Sequence, residues 1–175
     1  MYRINVQQPA DRPKIENLLD RTFGGDRFEK KSYRFRCGIE PVVALSFVAR
    51  EGAAIIATIQ HWPVSIGADQ APALLLGPLG VEPARKGEGI GQALVRHGLA
   101  VAASHGHQRV LLVGDEPYYG RFGFQKAKAF GVVMADEDPD RVLALALRRG
   151  GLGAVSGLIT VPRATTPEAG RQAQK

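Results

Sequence analysis

The sequence predicts a single mixed α/β domain, and three observations carry that reading. The chain has 175 residues, the length of one ordinary domain, and is 45% hydrophobic and 23% charged, close to the globular norm. Short runs with a period of two alternate with stretches of helical period. In the middle of the chain, an apolar run passes through a glycine-rich turn into an amphipathic helix and then a second apolar run. Such a strand–turn–helix–strand unit is the core of an α/β layer arrangement.

Taken in order, Tyr2, Ile4 and Val6 alternate with polar residues and read as an edge strand. Pro9-Ala10-Asp11 opens a helix that carries Ile15, Leu18, Leu19 and Phe23 on one face and stops at Gly24-Gly25. Residues 26–37 mix charge with Phe28, Tyr33 and Phe35, which suggests a second short helix or a mobile lid. Ala44–Arg50 and Ala54–Trp62 flank Glu51-Gly52 as a hairpin. Ala73–Val81 is nearly all apolar, and the Gly77-Pro78 pair inside it points to a bulge or splay. The following helix shows Ile90, Ala93, Leu94, His97, Val101 and Ala102 on one face and closes at His105-Gly106. Val110–Val113 is a short strand, Asp115-Glu116-Pro117 opens a brief helix, and Gly123 ends it. Further strands are expected near Phe130–Met134, Arg141–Leu147 and Leu158–Val161. The domain is assigned residues 1–163, with 164–175 as a disordered tail.

Composition excludes several classes. One cysteine can form neither an internal disulfide nor a multi-cysteine metal site, and no metal is expected. No apolar run approaches the length of a membrane span, and the start MYRINVQQPADR lacks a signal-peptide core, so a cytoplasmic location without membrane partners is expected. The net charge of +6 raises the question of nucleic acid. Residues 148–175 hold Arg148, Arg149, Arg163, Arg171 and Lys175 against Glu168, so most of the surplus is terminal. A binder would carry a basic stripe on its folded face, so nucleic acid is not the expected partner.

The turn Lys86-Gly87-Glu88-Gly89-Ile90-Gly91 is a device for holding phosphate. The first N–H groups of a helix lack partners, the helix dipole favours negative charge there, and glycine lets the backbone come close. A Walker loop would need Lys-Ser/Thr after the last glycine, where Gln92-Ala93 stands, and the dinucleotide fingerprint needs G-x-G-x-x-G, where the spacing is G-x-G-x-G. A plain tight turn between packed elements is the alternative.

The run Leu79 to Leu94, a strand ending L-x-V-x-P followed by a turn x-x-G-x-G and a helix, resembles the acetyl-CoA signature of the GNAT superfamily of N-acetyltransferases. Tyr119-Gly-Arg-Phe-Gly-Phe124 is similar to the family's later Y-x-x-x-G-F motif, and the YYxRFGF run with Val155-Ser156-Gly157 is similar to a bacterial acetyltransferase subgroup of unassigned substrate. The resemblance implies a GNAT-like domain in which a mixed, mostly antiparallel sheet with splayed strands is flanked by helices. It implies an enzyme that moves acetyl from acetyl-CoA to a primary amine by direct attack in a ternary complex, releasing CoA. A catalytically idle CoA-binding or sensing module, or an acetyltransferase acting on an RNA-linked amine, are the alternatives. The acceptor would be a small-molecule or peptide amine, and homodimers occur in the family.

Residue by residue, the resemblance implies that the Leu79 N–H polarises the acetyl carbonyl and that Gly80 and Val81 complete the strand along the pantetheine arm. The turn of Lys86, Gly87, Glu88, Gly89, Ile90, Gly91 and Gln92 would hold the pyrophosphate. Lys86 stands where the family has Gln or Arg, which should preserve binding without a bidentate grip. Tyr119 would be the general acid to the departing thiolate, with Leu79 the other catalytic group. Tyr118 reads as packing. Asp115 reads either as a pantetheine contact or as an N-cap. Glu82 and His61 are weighed as bases and read as structural, His97 as a buried core histidine, His105 and His107 as surface, and Cys37 as an ordinary thiol.

Overall fold

The computed structural model describes residues 1–163, so the tail expected at 164–175 lies outside the described residues. The elements are β1 (Arg3–Val6), α1 (Arg12–Phe23), β2 (Phe47–Glu51), β3 (Ala54–Ile66), β4 (Ala71–Val81), α2 (Ile90–Ser104), β5 (Arg109–Val113), α3 (Glu116–Tyr119), β6 (Gln125–Lys126), β7 (Val132–Val133), β8 (Val142–Ala146) and β9 (Gly157–Thr160). The main sheet runs β1-β2-β3-β4-β5-β8-β6, and β9 joins it at the end of β3 and pairs with β7. Its pairings are antiparallel except β4 with β5 and β7 with β9, which are parallel. The mixed, mostly antiparallel sheet expected from the sequence is present.

Strand alternation divides the core between the two faces. Leu74 and Leu76 on β4 point with Phe47, Ile59 and Leu112 toward α2, where Leu94 and Val95 meet them. Leu75 points the other way, with Trp62, Val64, Leu111 and Met134, onto a cluster that includes Phe35. On that second face α1 also buries Ile15, Leu18 and Leu19 against Val48 and Ile55. The sheet is therefore sandwiched, with α2 on one side and α1 and the segment after it on the other.

Three expectations are corrected. The buried stripe of α2 is Ile90, Gly91, Leu94, Val95, Gly98, Leu99 and Ala102, rotated from the expected face, and His97 is exposed with its ring edge-on to Phe47 at 4.6 Å. Glycines at 91 and 98 carry no hydropathy, yet they let the helix lie close to the sheet. Residues 26–37 form two short 3-10 helices, Arg27–Glu29 and Lys31–Arg36, in place of one short helix. The strand expected near Phe130–Met134 shrinks to β7, because Ala127–Phe130 coils into a 3-10 turn, and the two-residue β6 was not anticipated.

The 3-10 segment is strapped to the fold at both ends. Arg27 is only 2% exposed and pairs with Glu16 and Asp20 of α1 while donating to the Tyr33 hydroxyl at 3.2 Å. Lys31 and Arg34 donate to the carbonyls of Asp136 and Ala135 across the sheet edge. Phe35 inserts into the core between these anchors.

Candidate active site

The geometry of the site begins with the parting of β4 from β5. Their parallel pairing covers Leu74–Val110 and Leu75–Leu111 and then stops. Two residues of β4, Gly77 and Pro78, lie opposite the single residue Gln60 of β3, so a bulge sits where the ladder to β5 ends. Pro78 has no N–H with which to continue a ladder. The Gly77 carbonyl freed by the bulge accepts from the Trp62 indole at 2.7 Å. Beyond the bulge β4 still pairs with β3, Leu79 against Ile59 and Val81 against Ala57.

The direction of the backbone groups past the bulge follows from alternation. The Glu82 N–H donates to Ile56 on β3 at 2.8 Å. Gly80, two residues earlier, faces the same way, so the N–H groups of Leu79 and Val81 face the gap left by β5. The Val81 carbonyl, on that side, accepts from the Thr22 hydroxyl at 3.3 Å.

At the top of the gap lies the glycine turn. Gly87 and Gly89 have φ of +91° and +77°, and a Cβ on either would meet nothing within 4 Å. These are left-handed conformations that glycine takes at little cost, and they leave the backbone bare toward the gap. Ala93 is the first residue of α2 whose N–H finds a backbone acceptor, the Gly89 carbonyl at 3.0 Å. The N–H groups of Gly87, Gly89, Ile90, Gly91 and Gln92 have no backbone acceptor among the described residues. A row of unpaired donors at a helix N-terminus suits a phosphate group.

Gap and turn open into one cleft of about 620 Å³. It is lined by Leu79 and Val81, by Lys86, Gly87, Gly89, Ile90, Gly91 and Gln92, and by Asp115, Tyr118 and Tyr119. Two residues expected in the site are placed off the lining. Gly80 is turned toward β3 and packs on Leu19 and Thr58. Glu88 is exposed, its side chain accepts from Arg85 at 2.7 Å and its N–H donates to the Arg85 carbonyl. Arg85 also pairs with Glu51, so its charge is met within the protein, whereas Lys86 is exposed and has no carboxylate partner among the described residues.

The α3 tyrosines come from a short helix begun at Asp115. The Asp115 carbonyl accepts from the N–H groups of both Tyr118 and Tyr119 at 3.0 Å, but its side chain makes no cap bond and instead pairs with Arg141 at 3.5 Å. Tyr119 packs on Phe124 and over Gly114, whose missing side chain makes the room. Burial, with Tyr118 and Asp115 adding to it, pushes the Tyr119 phenol well above its ordinary range. Tyr118, read from the sequence as packing, also lines the cleft, and its hydroxyl lies 3.2 Å from where a Cβ on Gly91 would stand.

Neither base candidate lines the cleft. Glu82 is held by Arg21 through two bonds of 3.2 and 2.8 Å, which lowers its pKa and ties α1 to β4. His61 is fully buried under α2, its Nδ1 donating to the Leu45 carbonyl at 2.7 Å, and burial drives its pKa down to about 4. The cleft also contains Tyr33 and Arg36, from the segment the sequence marked only by its mix of charge and aromatics, and Arg141, to which no role was given. The alternation Tyr33-Arg34-Phe35-Arg36 was the available signal, but nothing in it told which side chains turn inward.

Comparison with known proteins decides the family. A model of the acetyltransferase (GNAT) domain matches residues 44–126. YhbS of Escherichia coli K12, described as an uncharacterized N-acetyltransferase, is 30% identical over 125 residues, covering 71% of this chain and 74% of that protein. The chain belongs to the GNAT acetyltransferases. The crystal structure of E. coli YhbS in complex with CoA superposes with a TM-score of 0.80 at 25% identity, covering 93% of this chain and 96% of that one. A GNAT acetyltransferase of Brucella melitensis in complex with acetyl-CoA gives 0.66 at 29% identity, over 83% and 88% of the two chains. The GNAT match spans β2 to β6 and so takes in the gap, the turn and α3. No helix among the described residues is long and apolar enough to cross a membrane.

Proposed function

We propose that this GNAT protein uses acetyl-CoA to acetylate a primary amine, by direct attack in a ternary complex. The observation that carries the reading is two sets of unpaired backbone donors in one cleft, Leu79 and Val81 on the splayed strand and Gly87 and Gly89–Gln92 at the turn. A linear ligand with amide groups at one end and a pyrophosphate at the other matches the two sets, and relatives have been crystallised with CoA and acetyl-CoA. When bound, acetyl-CoA supplies an activated thioester.

The residues divide the work. The turn donors hold phosphate, with the Lys86 ammonium nearby. The Val81 N–H pairs with the amide arm in the manner of an added strand. The Leu79 N–H, next to the bulge, donates to the thioester carbonyl oxygen and stabilises the charge that develops there. The amine lone pair bonds to the carbonyl carbon, the C–S bond breaks with its electron pair going to sulfur, and the proton shed by nitrogen to water balances the one that sulfur gains. Tyr119, kept protonated by its burial, donates to the departing sulfur. Cys37 lies outside the cleft lining, which favours direct attack over a thiol intermediate.

The test is isothermal titration of the purified protein with acetyl-CoA and CoA, followed by thiol release with an amine panel. Binding with turnover supports the proposal. Binding with no turnover on any amine supports an idle CoA-binding module instead, and absence of binding at millimolar ligand rejects both.

A further inference from the structure

A second cavity of about 660 Å³ lies behind the cleft, on the α1 face of the sheet. Tyr33, Arg36 and Pro78 line both spaces, so the two meet at the β4 bulge, beside the place proposed for the thioester. The second cavity has a mixed lining: Ile39 and Trp62 form an apolar part of its wall, with the exposed side chains of Phe28 and Val43 at its edge, while Arg12, Glu16, Glu40 and Gln60 line it elsewhere.

Arg36 is an anomaly at this junction. Its guanidinium lies against Gly77, 3.1 Å from where a Cβ would stand, and its Cζ lies over the rings of Tyr33 and Trp62, 4.4 and 5.8 Å from their centroids. Its Nε is buried and has no hydrogen-bond partner, and no acidic side chain pairs with it among the described residues. Neighbouring Arg27 differs, being met by both Glu16 and Asp20. Burial lowers the Arg36 pKa to about 10, which still leaves it cationic at neutral pH. A charged group with a buried, unpartnered N–H and no counterion is costly, and the planar fork of a guanidinium matches a carboxylate.

We propose that Arg36 binds the α-carboxylate of the acceptor, and that the acceptor is a free amino acid with an apolar side chain, acetylated on its α-amine. This deepens the acetyl-CoA reading above and rests on it. With the carboxylate on Arg36, the α-amine one carbon away stands at the bulge facing the thioester, and the side chain extends over Trp62 and Ile39. The strap explains how the charge is held: Arg27 fixes the Tyr33 hydroxyl, and the Tyr33 ring supports Arg36. The reaction balances as above, giving the N-acetylamino acid and CoA.

The experiment compares apolar amino acids such as leucine and phenylalanine with their amides and with the corresponding amines lacking the carboxylate. Acetyl-CoA binding is measured first on the same protein. The expected result is a kcat/KM at least 100-fold higher for an amino acid than for its amide. In Arg36→Gln that preference should collapse to within about threefold, with acetyl-CoA affinity and turnover of the amide retained, which also shows that the variant folds. Equal use of amino acid and amide would overturn the proposal, as would no turnover of any amino acid by protein that binds acetyl-CoA. An Arg36→Gln variant slowed equally on all acceptors would overturn it too, assigning the charge to the carbonyl oxygen. Failure to bind acetyl-CoA would reject the underlying reading and the proposal with it.

Discussion

The imidazole of His61 occupies the space that a side chain at position 98 would need: a Cβ on Gly98 would lie 2.7 Å from its Cε1. Strand β3 and helix α2 meet at this contact, and the ring is held in place by its bond to Leu45. Glycine inside a helix normally weakens it, and alanine there usually gains about 1 kcal/mol. At position 98 the sign should reverse. Overpacking of this kind costs about 1–3 kcal/mol, so Gly98→Ala is expected to lower stability by about 1 kcal/mol in urea unfolding. In a His61→Ala background the same substitution should stabilise, and unchanged behaviour in the two backgrounds would show that the contact does not govern the packing.

The same histidine makes the fold sensitive to acid. With its pKa held down to about 4 from 6.5 by burial, the folded state keeps His61 neutral while the unfolded chain protonates it. Its contribution is complete above about pH 6.5, is lost as the pH falls toward 4, and levels off below that. At about 1.4 kcal/mol per pH unit, the loss is roughly 3 kcal/mol. Thermal unfolding between pH 7 and pH 4 should therefore show a falling Tm, and His61→Gln should flatten that slope while lowering Tm at pH 7.

Gly89 controls the approach to the turn through its backbone rather than its surroundings. With φ at +77° and free space about its Cβ position, Gly89→Ala meets no atom but must hold a left-handed conformation at about 1 kcal/mol or more. A shift of the turn to relieve that strain would misaim the donors of Ile90 and Gly91. Acetyl-CoA affinity is expected to fall about tenfold by calorimetry, alongside a modest loss of stability. Gly25→Ala, with open space and no left-handed φ, should alter neither.

Tyr119 offers a separation of binding from turnover. Its ring packs on Phe124 and Phe122, and Tyr119→Phe preserves that packing. Losing the hydroxyl should reduce kcat about 100-fold while the KM for acetyl-CoA changes no more than threefold, since general acids contribute on this scale. A kcat close to that of the parent would transfer the role to Tyr118, whose hydroxyl also reaches the cleft.

Local patterns were enough to read the elements from β1 to β5, the break at Gly77-Pro78 and the glycine-rich turn that opens α2, because periodicity and glycine spacing are properties of neighbouring residues. The same patterns misplaced the buried face of α2, since Gly91 and Gly98 are buried by what they admit rather than by their own hydrophobicity. They could not separate Gly80 and Glu88, which turn away from the cleft, from their neighbours that line it.

By itself the chain determined a mixed α/β fold and a strand–turn–helix unit with a glycine-rich turn. The tertiary structure decided what faces that unit. Arg36 and Tyr33 reach it from the strapped segment on the α1 face, while His61 is sealed under α2 and Glu82 is spent on Arg21. Those outcomes depend on contacts between residues distant in the chain and on where opposite charges happen to meet, and neither is written in the spacing of one segment.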